Sequence, residues 1–209
     1  MRDQILASLK PLHRCLRKQK VAAFLRLVGG RGTNLLDVGG GPGISGEFRI
    51  IYETFENVVV TNLNPPDRKA IPFSEVRIVV ADACALPFNS GSFDWVFSNA
   101  VIEHVGGWAR QKLFADEIRR VSAKGYFVAT PNKHFPIEPH TLLPFYQFLN
   151  PKQQRRIVRF SPGYMREPLE INLLSDRDLG RLFPEATILK MGLPVFSNSL
   201  AAVYRTIRD

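Results

Sequence analysis

The sequence predicts an α/β domain built on a parallel, doubly wound sheet with helices on both faces. Short apolar runs near residues 34–38, 58–63, 76–81, 93–98 and 125–130 alternate with helical patterns, as strand–helix–strand units do. The first run passes straight into a glycine cluster, Asn-Leu-Leu-Asp-Val-Gly-Gly-Gly-Pro-Gly-Ile-Ser-Gly over 34–46. Asp37, Asn64, Asp82 and Asn99 each fall at the carboxyl end of a strand, where open α/β sheets bind ligands.

The elements follow in order. Ile5, Leu9, Leu12 and Leu16, then Val21, Phe24, Leu25 and Val28, keep helical spacing up to a Gly29-Gly30 stop, and Pro11 is expected to kink or divide this helix. Leu35, Leu36 and Val38 read as a buried strand, and Gly39, Gly41 and Gly43 allow a sharp turn close to a ligand, with a helix start after Pro42. Trp108 to Ser122 is the clearest internal helix: Leu113, Phe114, Ile118 and Val121 form its apolar stripe, and Arg110, Lys112, Arg119 and Arg120 face away. Pro131, Pro136, Pro139, Pro144 and Pro151 then interrupt an aromatic-rich stretch, so residues 131–174 read as an insertion outside the sheet. A helix over 175–182 has Ser175 as its cap and Asp178 as the reciprocating residue, and two strands near 186–191 and 199–206 close the chain.

The 209 residues suit one domain over 1–209, with a 1–30 helical segment and the 131–174 insertion as a substrate lid. No apolar run is long enough to span a bilayer, and Arg2, Asp3 and Gln4 do not begin a signal peptide, so a cytoplasmic location is expected. Cys15 and Cys84 suggest no disulfide framework and read as buried thiols. The net charge of +9 is concentrated in Lys10, Arg14, Arg17, Lys18, Lys20, Arg26 and Arg31, and again in Lys152, Arg155, Arg156, Arg159 and Arg166. These are either sites for an anionic partner or the solvated faces of two amphipathic helices.

The glycine cluster satisfies two registers. Gly41, Gly43 and Gly46 fit a dinucleotide loop, whereas Gly39, Gly41 and Gly43 fit the G-x-G-x-G of S-adenosylmethionine enzymes. Asp37, placed before the glycines, would repel a pyrophosphate and attract the ammonium of a methionine moiety. The second strand ends in Asn64 where a dinucleotide site wants an acid, and Asp82 ends the third strand, suited to an adenine amino group. The methyl-donor register is favoured.

The segments LLDVGGGPG at 35–43, VVADACALPFNSGSFDWVFSNAVIEHV at 79–105 and YFVATPN at 126–132 resemble class I S-adenosylmethionine-dependent methyltransferases, the small type 11 group most closely. The resemblance implies a Rossmann-like, doubly wound, seven-stranded sheet, mostly parallel with an antiparallel last strand, and S-adenosyl-L-methionine as cofactor. It assigns the methionine part and ribose to Asp37 and the loop Gly39, Gly40, Gly41 and Gly43, and the ribose hydroxyls to Asn64. Asp82 and Ala83 would take the adenine, and Asn99 would approach the methionine end. The one departure is Asn64, where the family usually carries an acid, so those hydroxyls would be held without charge assistance.

Methyl transfer from a positive sulfur needs mainly positioning and exclusion of water, and an oxygen acceptor would also profit from a general base. The candidates are His104, past the fourth strand, and His140 with Glu138 in the insertion. No metal is expected, because His134, Glu138 and His140 match no strong ligand signature. Phe135, Phe145, Tyr146, Phe148, Phe160 and Tyr164 would make the insertion an apolar lid over a small-molecule, lipid or glycan acceptor. The same stretch, with the basic run 152–159, would also suit peripheral contact with an anionic membrane. RNA methylation is a rival suggested by the sequence pI of about 9.9, although no Asn-Pro-Pro-Tyr motif, catalytic cysteine or RNA-binding module supports it. A non-catalytic binding protein on the same fold is a second, and a dehydrogenase a distant third.

Overall fold

A buried strand with its glycine turn sits at the centre of the molecule. The computed structural model describes residues 2–41, 46–64, 76–167, 170–192 and 197–206, with side chains described from Pro11 onward. Helix α1 (Arg2–Val28) leads into β1 (Gly32–Val38), and a 3₁₀ turn at Gly46–Phe48 leads into α2 (Arg49–Thr54). β2 (Phe55–Asn62), β3 (Arg77–Val80) and β4 (Phe93–Asn99) follow, then α3 (Trp108–Val121) and β5 (Ser122–Pro131). The insertion carries α4 (Pro151–Ile157), and the chain closes with α5 (Asp176–Leu182), β6 (Thr187–Gly192) and β7 (Ser197–Arg205).

The seven strands form one sheet in the order β3-β2-β1-β4-β5-β7-β6. β1 pairs in parallel with both β2 and β4, β4 pairs in parallel with β5, and only β7 runs antiparallel to its neighbours. Strand order reverses beside β1, so the crevice above β1 and β4 is where the topology places a ligand. Leu36, Val38 and Val96 pack on one face against Phe114, Ile118 and Leu179. Leu35, Val60 and Phe97 pack on the other against Phe24, Val28 and Ile51. Burial on both faces explains why the central strands read as continuous apolar runs.

α1 is a single helix: Pro11 lies inside it without dividing it, because its missing N–H removes only one bond of the ladder. Its end is at the expected place, where Gly29, at φ +75°, turns its N–H back to the Leu25 carbonyl at 3.0 Å. Cys84 is buried, but Cys15 is exposed on the outer side of α1, contrary to expectation. α3 also differs from its predicted stripe. Leu113 is exposed and Gln111 is buried, because the Gln111 amide donates to the carbonyls of Ile102 and Asn172 and so docks the insertion onto the helix. Ser175 and Asp178 form the reciprocal cap predicted for α5.

Candidate active site

The turn after β1 is built by what its glycines leave out. Gly39 has φ +80°, and a Cβ there would meet Val101 Cγ2 at 2.3 Å. A Cβ on Gly40 would meet Asp37 Oδ2 and Val60 Cγ1 at 2.6 Å, whereas one on Gly41 would make only ordinary contacts, with Asn62 Nδ2 at 3.9 Å and the Gly39 carbonyl at 4.0 Å. The Asn62 amide holds the turn in place, donating to the Gly40 carbonyl at 2.9 Å and the Gly39 carbonyl at 3.3 Å. β2 therefore ends at Asn62, and Asn64 lies two residues beyond it on an exposed bend, its N–H donated to Asn62 Oδ1 at 3.0 Å.

The crevice has two parts that meet at Gly39. The narrower, of about 190 Å³, is lined by Asp37, Gly39, Gly40, Gly41 and Asn99 together with Arg17, Phe48, Tyr52 and Phe97. The wider, of about 300 Å³, is lined by Asn64, Asp82, Ala83 and His104, with Asn62, Val101 and Arg110 among its other walls. Every described residue assigned to the cofactor thus borders one continuous crevice; Gly43 lies outside the described residues. The family of residues is held from behind: Glu117 accepts the Leu86 N–H at 2.6 Å while Arg120 bonds the Phe88 and Leu86 carbonyls, fastening the segment after Asp82 to α3.

Electrostatics differ along the crevice. Asp37 is buried, and desolvation pushes its carboxyl up to about 6, although the Tyr52 hydroxyl, which donates to it, works the other way. Asp82 is half-exposed and held below the usual carboxylate range, first by Arg110, whose guanidinium grips both carboxylate oxygens at 2.9 and 2.7 Å, and then by the Cys84 N–H. Lys20 of α1 donates to Asn99 Oδ1 at 2.8 Å; burial lowers its ammonium to about 8, opposed by the Glu103 carboxylate.

Beyond Asn99 the backbone passes through Ala100 at φ +58° and reaches Glu103 and His104. His140 of the insertion is buried beside them, its ring 5.1 Å from that of His104 and 5.6 Å from that of Tyr164. Glu138 accepts the N–H groups of His140 and Thr141 and lies 2.5 Å from His140 Nδ1. Burial opposes ionisation of Glu138, but the His140 ring and the Thr141 N–H outweigh it and hold the carboxyl low. The Glu138 carboxylate thus engages the Nδ1 side of the ring, and Nε2 is the other ring nitrogen. The three predicted catalytic side chains are thereby brought together. His134 is not with them; its ring stacks beside Phe148, 6.5 Å away.

Arg17, Lys20, Tyr52 and Glu103 border this site without having been singled out for it. The two cations belong to the basic segment read as either a solvated face or sites for an anionic partner, and Tyr52 belongs to no motif. Glu103 alone had a usable signal, its place directly before His104. The insertion also departs from the apolar lid: Phe145, Phe148, Phe160 and Tyr164 are exposed. Its main cavity, about 420 Å³, is lined largely by polar groups such as Gln111, Gln147, Gln154 and Asn172, and it meets the cluster only at Glu138.

Residues 36–129, which contain the glycine turn, Asp82, Asn99 and His104, match the family described as "Methyltransferase domain". Over that stretch the chain is similar to the methyltransferase family. Among curated proteins the sequence has no significant match. Among solved structures, the chain is similar to the 1,6-didemethyltoxoflavin-N1-methyltransferase of Burkholderia thailandensis, crystallised with 1,6-didemethyltoxoflavin and S-adenosylhomocysteine (TM-score 0.63, 15% identity, covering 99% of this chain and 87% of that one). It is also similar to the N-methyltransferase NodS of Bradyrhizobium japonicum in complex with S-adenosylhomocysteine (TM-score 0.63, 12% identity, covering 95% and 89%). A third is a chain of the Haloferax volcanii complex between the Trm112 activator and a methyltransferase (TM-score 0.62, 14% identity, covering 94% and 90%). At these identities the likeness is one of fold. Two of these neighbours hold S-adenosylhomocysteine, and the crevice fits S-adenosyl-L-methionine, with an acid at the narrow end, a glycine turn between and a second carboxylate at the wide end. Among the described residues no helix is long and apolar enough to cross a membrane.

Proposed function

We propose that this methyltransferase methylates a nucleophile, most simply a hydroxyl, on a small-molecule, lipid or glycan acceptor. The observation that carries the reading is the cluster of Glu103, His104, His140 and Glu138 beside the crevice, with His104 on the crevice wall. A sulfonium methyl group needs no electrophilic activation, so buried titratable groups beside the donor are best accounted for by an acceptor that must lose a proton. In this reading Asp37 and the Gly39–Gly41 turn hold the methionine end. Asn64 takes the ribose, Asp82 and Ala83 the adenine, and Asn99, fixed by Lys20, the edge nearest the acceptor. Bound S-adenosylmethionine supplies an activated methyl carbon; the chain's own residues orient the acceptor, exclude water and accommodate its proton.

The exposed Phe145, Phe148, Phe160 and Tyr164, with Arg155, Arg156 and Arg159 on the same insertion, support contact with an anionic lipid surface bearing the acceptor. The RNA reading has less support, because Arg14 and Arg17 are engaged by Glu47 and Lys20 by Asn99. Transfer of labelled methyl groups from S-adenosylmethionine to panels of hydroxylated small molecules, lipids and glycans tests the reading. His104→Ala and His140→Ala should each lower turnover at least about tenfold with affinity for S-adenosylhomocysteine unchanged. Equal turnover in both variants, or methylation of RNA alone, would overturn it.

A further inference from the structure

Glu103 is fully buried, yet only one of its carboxylate oxygens is satisfied. Oε2 accepts from the Thr130 hydroxyl at 3.0 Å, and Oε1 has no hydrogen-bond partner among the described residues. A buried acceptor left in this way is unusual and asks for a ligand. The groups facing Oε1 are nitrogens: His104 Nε2 lies 3.9 Å away, and ligand atoms of Glu103, His104 and His140 all fall within 4.8 Å of one another. Lys20 is the nearby cation, but its ammonium is bonded to Asn99. Two carboxylates, Glu103 and Glu138, therefore face two imidazoles and one ammonium engaged elsewhere, with the Tyr164 ring beside them.

We propose that Glu103, His104 and His140 form a binding site for one divalent transition-metal ion, an inference that rests on the methyltransferase reading of this crevice. Two imidazoles and one carboxylate suit zinc, manganese, iron, cobalt or nickel, while calcium and magnesium prefer all-oxygen sets. The outer shell is already built. Glu138 holds the His140 ring at Nδ1, which leaves Nε2 for the ion, and Thr130 orients the Glu103 carboxylate. Bonds of about 2.1 Å bring ligand atoms to roughly 3.0–3.4 Å from one another. His104, half-exposed at the crevice wall, is the ligand free to move in by on the order of 1 Å. An ion held there keeps open positions toward the crevice, where it would acidify a bound acceptor hydroxyl.

The test uses the full chain freed of metal by chelation, with Co²⁺ as the probe. Visible d–d absorption reads the coordination, mass spectrometry of bound cobalt reads stoichiometry, and calorimetry with S-adenosylhomocysteine runs in parallel. The expected result is one ion per chain. Affinity should be at least 100-fold weaker in Glu103→Gln and His140→Ala, and about 10- to 100-fold weaker in Glu138→Gln. His104→Ala, a change at a half-exposed ring, should also weaken binding and alter the spectrum, and it serves if a buried variant fails to fold. Absence of stoichiometric Co²⁺, or binding unchanged in all four variants, would overturn the metal site. S-adenosylhomocysteine binding that survives such a result leaves the methyltransferase reading standing, so the two failures are distinguishable.

Discussion

Replacing Asp37 with asparagine should stabilise the cofactor-free protein at neutral pH and impair it as an enzyme. The carboxyl is buried and pushed from its ordinary 3.8 up to about 6, chiefly by desolvation. The folded state therefore holds this proton more tightly than the unfolded chain, and stability falls as pH rises from near 3.8 to about 6. The shift corresponds to a penalty of roughly 3 kcal/mol near pH 7 and about 1 kcal/mol near pH 4.5. Asparagine has almost the same shape and still offers an oxygen to the Tyr52 hydroxyl. Urea denaturation of both proteins should show the variant ahead by up to about 3 kcal/mol at pH 7, the gap shrinking by about 2 kcal/mol at pH 4.5. Calorimetry should show S-adenosylhomocysteine binding weakened about tenfold or more, since the carboxylate attraction for the ligand ammonium is lost. A gap of the same size at both pH values would refute desolvation as its origin. A less stable variant at pH 7 would show that the bond from Tyr52 needs the charge.

Two further outcomes follow from the same geometry. Gly40→Ala should cost about 1–3 kcal/mol in denaturant unfolding, because its Cβ overlaps Asp37 and Val60, whereas Gly41→Ala should fold normally and lose affinity for S-adenosylhomocysteine. Equal behaviour of the two would contradict the placement of the turn. Co-sedimentation with vesicles rich in anionic lipid should exceed that with neutral vesicles and fall on replacing Phe145, Phe148 and Phe160 by serine; no preference for the anionic vesicles would remove the membrane contact.

The sheet was legible in the chain because its central strands are buried on both faces and its turns carry their own chemistry. Leu35, Leu36 and Val38 had no polar alternation to confuse them, Gly29 ended α1 where two glycines announced it, and Ser175 with Asp178 capped α5. The residues assigned to the cofactor border the crevice for the same reason: strand ends in an open α/β sheet converge, so position along the chain already implies position in space. α3 shows where this reasoning stops. Helical spacing cannot tell that Gln111 will find two carbonyls, one of them in a segment 61 residues away, and take the buried place of Leu113.

The acceptor side depended on contacts between distant segments. Sequence spacing gave no ligand set for His134, Glu138 and His140; in the fold His134 lies beside Phe148, while His140 is brought to Glu103 and His104 beyond β4. The charges of α1 could be read either as a solvated face or as sites for an anionic partner, and folding lays Arg17 and Lys20 against the crevice. By itself, then, the sequence determined the strand sequence and the glycine turn, because both are encoded by local periodicity and backbone chemistry. Only the tertiary structure decided which carboxylate and which imidazoles meet, because that depends on the path of an irregular insertion with no repeating pattern to read.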